Sequence, residues 1–317
     1  MSKQGIWLVV GTALVIFGTV ILVLTAHTVN WNFNGFSTTV YNDVDQAFDS
    51  ISINTDTADI EFLPSDNENC RVICYESEKV RHIVSVENDV LTVKVADGRK
   101  WYERFIIDFR TPNITVYLPK TEYAALTVEN STGKVEVSKD FEFGNAYIST
   151  STGDVRFCAS ASKDVEIETR TGDVFVENSS LGSLDVSVTT GKVSVSGVTC
   201  EGEIEVEVST GKTYLTDISC RSVSSEGDTG DIFLSKVIAA KKISVERSTG
   251  DVNFELSDAA EIEVETDTGD IEGSLLTDKI FITRTDTGRV RVPDSAGGGR
   301  CELTTDTGDI RISILTK

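Results

Sequence analysis

The chain is 317 residues long and 39% hydrophobic, with 51 acidic residues against 29 lysines and arginines, a net charge of −22 and a pI near 4.4. That length can bury a sizeable core. So acidic a surface excludes nucleic acid, whose phosphates need a basic face, and adsorption to anionic lipid.

Residues 1–5 form a short N-terminus containing Lys3, and residues 6–26, IWLVVGTALVIFGTVILVLTA, contain no charge. At about 1.5 Å per residue a helix over this segment spans about 30 Å, the thickness of a bilayer's hydrocarbon core. A cleaved signal peptide is the alternative, with Leu24-Thr25-Ala26 as its site. Its apolar region is usually only about 7–15 residues, so an uncleaved transmembrane anchor is expected. Lys3 precedes the span and the first charge after it is Asp43, which places the N-terminus in the cytoplasm and the rest outside a plasma membrane. Residues 27–36 read as a juxtamembrane linker, in which Trp31, Phe33 and Phe36 suit an interfacial aromatic belt.

Residues 37–120 alternate apolar and polar in "SISIN", "ADIEFL", "CRVICYE", "HIVSVE", "VLTVKV", "RFIIDF" and "NITVYLP". They read as a β-rich cap and first coils, since terminal repeats shield open strand edges. Asp56-Thr57-Ala58-Asp59-Ile60 is a degenerate copy of the later turn. Residues 97–104, DGRKWYER, are a basic–aromatic cluster, read as a solvated turn or a loop that meets headgroups or a partner.

Residues 121–317 repeat. The dipeptide Thr-Gly recurs with Gly133, Gly153, Gly172, Gly191, Gly211, Gly230, Gly250, Gly269, Gly288 and Gly308, every 19 or 20 residues, and a fixed period of this kind signals stacked units. Two residues after the glycines stand Val135, Val155, Val174, Val193, Thr213, Ile232, Val252, Ile271, Val290 and Ile310, so Thr213 is the one exception to Val or Ile. Apolar residues also recur five and seven positions before the glycines, as in Ile262-Glu263-Val264. Each unit is therefore strand, tight turn, strand and polar return. One unit cannot bury its apolar face, but coils about 4.8 Å apart share a core and a hydrogen-bond ladder. The expected fold is all-β: a parallel β-solenoid of about ten coils after one transmembrane helix.

The residues following the glycines, read in chain order, mix signs without an ion-pair ladder. Asp228, Asp231, Asp251, Asp267, Asp270, Asp286, Asp306 and Asp309 crowd one corner of the later coils. Oxygen ligands at such spacing suit calcium, and turn hydrogen bonding is the alternative. Cys200 and Cys220 both fall nine residues after their glycines, which stacks them within reach of a disulfide about 5 Å apart at Cα. Cys301 aligns with a core position.

The sequence has no GxxxxGK, HExxH or GxSxG, and only two histidines, His27 and His82. No cofactor is expected, and no catalytic residue is assigned. The N-terminal span, "PNITVYLPK" before the first turn and serial "STGDV" or "DTGDI" coils resemble the bacterial putative-adhesin family of β-strand-repeat domains of unknown function, which includes the membrane-anchored member of a Lia-type envelope-stress operon. The resemblance implies an extracytoplasmic module on a bacterial, Gram-positive plasma membrane, with a role in envelope stress or adhesion. The expected function is non-catalytic binding or scaffolding of an envelope protein or polymer, which exposed Tyr, Phe or Thr rows on one sheet would favour. The alternative, a carbohydrate-active β-helix enzyme, needs two carboxylates about 5–10 Å apart in a groove.

Overall fold

The computed structural model describes residues 15, 17–19, 36–41, 44–66, 69–77, 80–98, 112–295 and 297–315. The chain divides into two units, Met1–Ser37 and Thr38–Lys317. In the first, residues 15 and 17–19 are helical, and Thr19 Oγ1 donates to the Val15 carbonyl at 3.0 Å. Among the described residues no helix is long and apolar enough to cross a membrane. The rest of the expected span, together with Trp31, Phe33 and most of DGRKWYER, lies outside the described residues.

The second unit is built of strands. Its N-terminal group is β1 (Phe36–Tyr41, which begins in the first unit), β2 (Ser50–Thr57), β3 (Asp59–Pro64), β4 (Arg71–Ser77), β5 (Val80–Glu87), β6 (Val90–Asp97) and β7 (Asn113–Leu118). The regular coils comprise β8 (Glu122–Thr132), β9 (Val135–Val137), β10 (Glu142–Thr152), β11 (Val155–Phe157), β12 (Ser160–Thr171), β13 (Val174–Glu177), β14 (Ser180–Thr190), β15 (Val193–Cys200), β16 (Glu203–Thr210), β17 (Thr213–Thr229), β18 (Ile232–Thr249) and β19 (Val252–Thr268). The C-terminal group is β20 (Ile271–Leu275), β21 (Lys279–Thr287), β22 (Val290–Arg291), β23 (Gly299–Thr307) and β24 (Ile310–Ile314).

Parallel pairing with the expected register makes this a β-solenoid: Val155 lies over Val135 and under Val174, Ile148 over Val128 and under Ile167. The Thr-Gly corners form a column in which Gly153 N donates to Thr171 O and Gly172 N to Thr190 O, at 2.9 and 3.0 Å. Glycine is required because coils touch backbone to backbone. Gly172 has φ of 152°, and a Cβ there would lie 2.1 Å from the Gly153 carbonyl oxygen. The column begins before Gly133, at Ala58, whose N–H donates to Thr132 O at 3.0 Å.

A coil has three sides, which corrects the polar return inferred from sequence. After the second strand the chain bends at a left-handed residue, Asn178, Gly197, Asp217, Lys236 or Leu256 in successive coils. Strand pairing then resumes: Val198 under Ile218 and Ile218 under Val237. Val198, Cys200, Ile218, Cys220, Val237 and Ala239 all point inward and are buried. The first and second sides fill the rest of the core, with Val206, Val245 and Val264 on the first and Val195, Leu234 and Phe254 on the second among its buried residues. Each fully buried aliphatic side chain contributes about 1.5–3 kcal/mol, so the core is the sum of many similar layers.

Coil order departs from chain order at both ends. β23 pairs with β19 on one side and β21 on the other, and β24 likewise lies between β20 and β22. The Gly308 coil is thus inserted between the Gly269 and Gly288 coils. At the other end β2 lies between β6 and β8, and β3 between β7 and β9. The first and last coils of the chain are interior layers, each covered by a segment from further inside the sequence.

Beneath the corner column runs a polar line. Thr169 Oγ1 donates to Gly153 O, Thr305 Oγ1 to Gly269 O and Thr285 Oγ1 to Gly308 O, at 3.4, 3.0 and 3.0 Å. In one coil this position is Arg247, 2% exposed. Its Nη1 donates to the Val208 and Glu226 carbonyls, both at 3.2 Å, and its Nη2 to Thr213 Oγ1 and Ser225 Oγ at 3.1 and 2.9 Å. Thr213, the exception in the valine column, is there to accept from a buried guanidinium.

Candidate functional site

On the second side of the coils, the residue three after each glycine points outward and stacks on its counterparts. Arg156 lies under Phe175, and Tyr214 under Phe233, in register. Arg156 Cζ stands 4.7 Å from the Phe175 ring centroid and Lys192 Nζ 4.6 Å from it, each supplied by a neighbouring coil. The rings of Tyr214 and Phe233 stack at 4.9 Å with an interplanar angle of 8°, and Lys212 Nζ is 5.7 Å from the Phe233 centroid. Cation–π contacts of this geometry contribute about 0.5–1 kcal/mol at an exposed site.

The cations are also pinned by carboxylates: Arg156 to Glu177 at 2.6 Å, Lys212 to Asp231 at 2.8 Å and Lys192 to Asp173 at 3.5 Å. The Asp231 carboxyl is held below its ordinary range, chiefly by the Lys212 hydrogen bond. The result is a rigid strip, apolar along its ring faces and charge-balanced along its margins. At Arg156 the strip opens into a cleft of about 270 Å³ lined by Leu63, Val137, Cys158 and Asn178 among others. Half-buried Cys158 has its thiol pKa pushed up by burial and by the Glu177 charge. The strip escaped the sequence reading, which followed the residues directly after the glycines and the inward columns. The signal was the next outward column, the third letters after glycine in "GDVRF", "GDVFV", "GKTYL" and "GDIFL".

The first side carries the opposite character. Glu205 and Asp185 stack in register, as do Glu207, Glu226, Glu246 and Glu265. Burial and mutual repulsion raise the carboxyl pKa values of Glu166, Asp185 and Glu205. Here too is a cleft of about 230 Å³, walled by Glu207, Glu226, Asp228, Glu246 and Asp267, with Gly227 and Arg247 among its lining residues.

Four of the corner aspartates weighed as calcium ligands accept a backbone N–H from an adjoining coil. Asp231 Oδ1 accepts from Asp251 N at 3.2 Å, Asp251 Oδ1 from Asp270 N at 2.8 Å, Asp270 Oδ1 from Asp309 N at 2.7 Å and Asp309 Oδ1 from Arg289 N at 2.9 Å. Asp154 and Asp173 form a shorter run that ends on Lys192 N, and Asp59 one that ends on Lys134 N. Each run of carboxylates finishes at a cation, an order hidden in chain sequence because the Gly308 coil precedes the Gly288 coil. Asp228 and Asp267 line the acidic cleft instead. Among the described residues no group of three or more His, Cys, Asp or Glu side chains is placed to hold a metal ion.

The disulfide expected between Cys200 and Cys220 is not formed in the structure, where both side chains are thiols. Cys200 Sγ is turned to the Gly182 and Glu203 carbonyls at 3.4 and 3.5 Å. Cys301 is fully buried, as its core register requires. His82 is also buried, its Nε2 3.1 Å from Thr55 Oγ1.

Solved structures resemble this chain at low sequence identity. A "putative lipid binding protein" from Parabacteroides distasonis ATCC 8503 is 14% identical over 89% of this chain and 98% of its own, with a TM-score of 0.47. A "putative adhesin" from Bacteroides fragilis NCTC 9343 is 14% identical over 88% and 97%, with a TM-score of 0.38. Another from Parabacteroides merdae ATCC 43184 is 11% identical over 89% and 97%, with a TM-score of 0.38. A comparison with curated proteins finds no significant match. The profile of the Toastrack DUF4097 family matches residues 48–211 and again 199–317. With nearly all of the solenoid matched, the chain belongs to the Toastrack DUF4097 family.

Proposed function

We propose that this protein is a tethered, non-catalytic binding module of a bacterial cell envelope, held to the plasma membrane through residues 6–26 and contacting an envelope polymer through the strip Arg156, Phe175, Lys192, Lys212, Tyr214 and Phe233. The observation that carries the reading is the stacked Tyr214–Phe233 pair beside Lys212. Parallel coils hold these rings at a fixed spacing, so little conformational entropy is lost when a flat ligand settles on them. Each cation near the strip already has a carboxylate partner, which favours a polymer of sugar rings over a densely anionic one. A role in envelope stress or adhesion is consistent with such a module and rests on the family resemblance alone.

Co-sedimentation of the full chain, in detergent micelles, with insoluble cell-wall polymer tests the reading. The wild-type chain should sediment with the polymer, and Tyr214→Ala with Phe233→Ala should weaken binding about tenfold or more. Absence of binding, or equal binding by the double variant, would overturn it. Anchoring is tested separately: protease added to intact cells should digest the solenoid and leave a membrane-embedded N-terminal fragment.

A further inference from the structure

The two ends of the stack differ. At the N-terminal end the outer parallel layer, β6 and β7, is covered by antiparallel partners β5 and β4, and Leu91, Val93, Ile114 and Val116 beneath them are fully buried. At the C-terminal end the outer layer is β21 and β22, which pair with β23 and β24 on one edge. No further strand lies on the other edge among the described residues. The inward residues Phe281 and Thr283 are only half-buried there, whereas Leu303 one layer down is fully buried. Ile280, Ile282 and Val290 are 48%, 46% and 41% exposed. A parallel edge of this kind is a template for one more strand.

The charges on this layer indicate what kind of strand. In the body of the stack a cation is repeatedly matched by a carboxylate one coil further along: Lys120 by Asp140 at 2.7 Å, Arg156 by Glu177 at 2.6 Å, Lys212 by Asp231 at 2.8 Å and Lys242 by Glu263 at 2.5 Å. The last layer presents Arg284, Arg289 and Arg291, all exposed, on a chain of net charge −22. The pairings of Arg289 and Arg284 point inward or sideways, Arg289 to Asp309 in the layer below at 4.0 Å and Arg284 to Asp286 in its own strand at 3.2 Å. A second copy docking by the same end would bring these arginines against their own kind.

We propose that the β21–β22 edge accepts an extended, acidic segment of another protein as an added β-strand, with apolar residues over Phe281 and Thr283 and carboxylates opposite Arg284, Arg289 and Arg291. Backbone hydrogen bonds along the edge provide affinity and the arginines select an acidic sequence. The site is separate from the aromatic strip and does not depend on it.

The probe is a fluorescently labelled peptide, EIEVETDTGDIE, a copy of residues 261–272, whose β19 part pairs with β23 inside the stack. Anisotropy with the full chain in detergent micelles should show saturable binding, weakened about tenfold by Arg284→Glu with Arg291→Glu. Arg221→Glu, exposed elsewhere on the stack, should leave binding unchanged. A photo-crosslinker in the peptide should attach within residues 279–292. The proposal is overturned if binding is not saturable, if a scrambled or lysine-substituted peptide binds equally, or if crosslinks fall elsewhere. It is also overturned if sedimentation of the chain alone shows a dimer that Arg284→Glu with Arg291→Glu dissolves, for then a second copy covers this edge.

Discussion

The guanidinium of Arg247 occupies the space that a side chain at Gly227 would fill: a Cβ built on Gly227 would lie 1.9 Å from Arg247 Nη1 and 2.0 Å from the Val208 carbonyl oxygen. Around it, Thr213 stands where the other coils carry Val or Ile, and Ser225 in a column that is otherwise Val, Ile or Leu except at Thr283. One buried charge has therefore reshaped three neighbouring positions. Burial lowers the arginine's pKa, partly opposed by Asp228, yet the group stays charged because its ordinary value is so high.

This network predicts two large losses. Gly227→Ala should destabilise the chain by about 3 kcal/mol or more, since neither the arginine nor the backbone can move aside. Arg247→Ala should cost about 3–5 kcal/mol by leaving two carbonyls and two hydroxyls without their donor beside a cavity. Urea denaturation monitored by circular dichroism checks both, with Arg221→Ala as a surface control expected within about 0.5 kcal/mol of wild type.

The corner carboxylates should stabilise the stack from above their ordinary titration range. Asp231 has a lowered pKa in the folded chain, first through the Lys212 hydrogen bond. A carboxyl depressed on folding adds stability that is present above its unfolded value near 3.8 and lost as pH falls through the folded value. The melting-temperature difference between wild type and Asp231→Asn should be constant near neutrality and close below about pH 4. Asp270→Ala removes the acceptor of Asp309 N and a partner of Arg311. It should lower the melting temperature by about 2–4 °C, an effect of about 1 kcal/mol.

The acidic side should show the reverse slope. Burial raises the Glu205 pKa above its usual 4.5, and the charges of Asp185, Glu203, Glu226 and Glu207 add to it. A carboxyl raised on folding binds protons more tightly in the native state, so its charged form opposes folding above the raised value. That opposition is relieved as pH falls from there toward 4.5. Glu205→Gln should melt about a degree or two higher than wild type at pH 7, with the gap vanishing below pH 4.5. A gap that persists at low pH would show that packing, not charge, is responsible.

Thiol accessibility should sort the cysteines sharply. Burial pushes the Cys70, Cys220 and Cys301 thiols up to about 12. In the native chain under reducing conditions an alkylating reagent at pH 8 should modify Cys158, the one half-buried thiol, within minutes, and the others only on unfolding. Mass spectrometry of peptides after a timed pulse reads this directly. Fast labelling of Cys200 or Cys220 would show that the third side opens.

The repeat made much of this architecture legible. The 19–20-residue spacing of the glycines predicts a column, and Val155, Val174 and Val193 predict the core beneath its second side. The third side was hidden because its inward residues, such as Cys200, Cys220 and Ala239, are small and separated by polar neighbours. Coil order was hidden for a different reason. Nothing local in "DTGDIRISI" distinguishes an inserted coil from a terminal one, since both present the same columns to either neighbour. Arg247 could not be read as buried from its own type. Its signature was distributed over Thr213, Ser225 and Gly227, each a departure from its column. The aromatic strip lay one column beyond those aligned and needed the register to become visible.

Threading the first and last coils between layers laid down by inner segments alters how the molecule meets force. A pull that reached β2 or β24 would meet a strand gripped by neighbours on two edges. Such a strand must shear two ladders together; it cannot peel away one bond at a time. An exopeptidase nibbling inward would stall at the same places for the same reason.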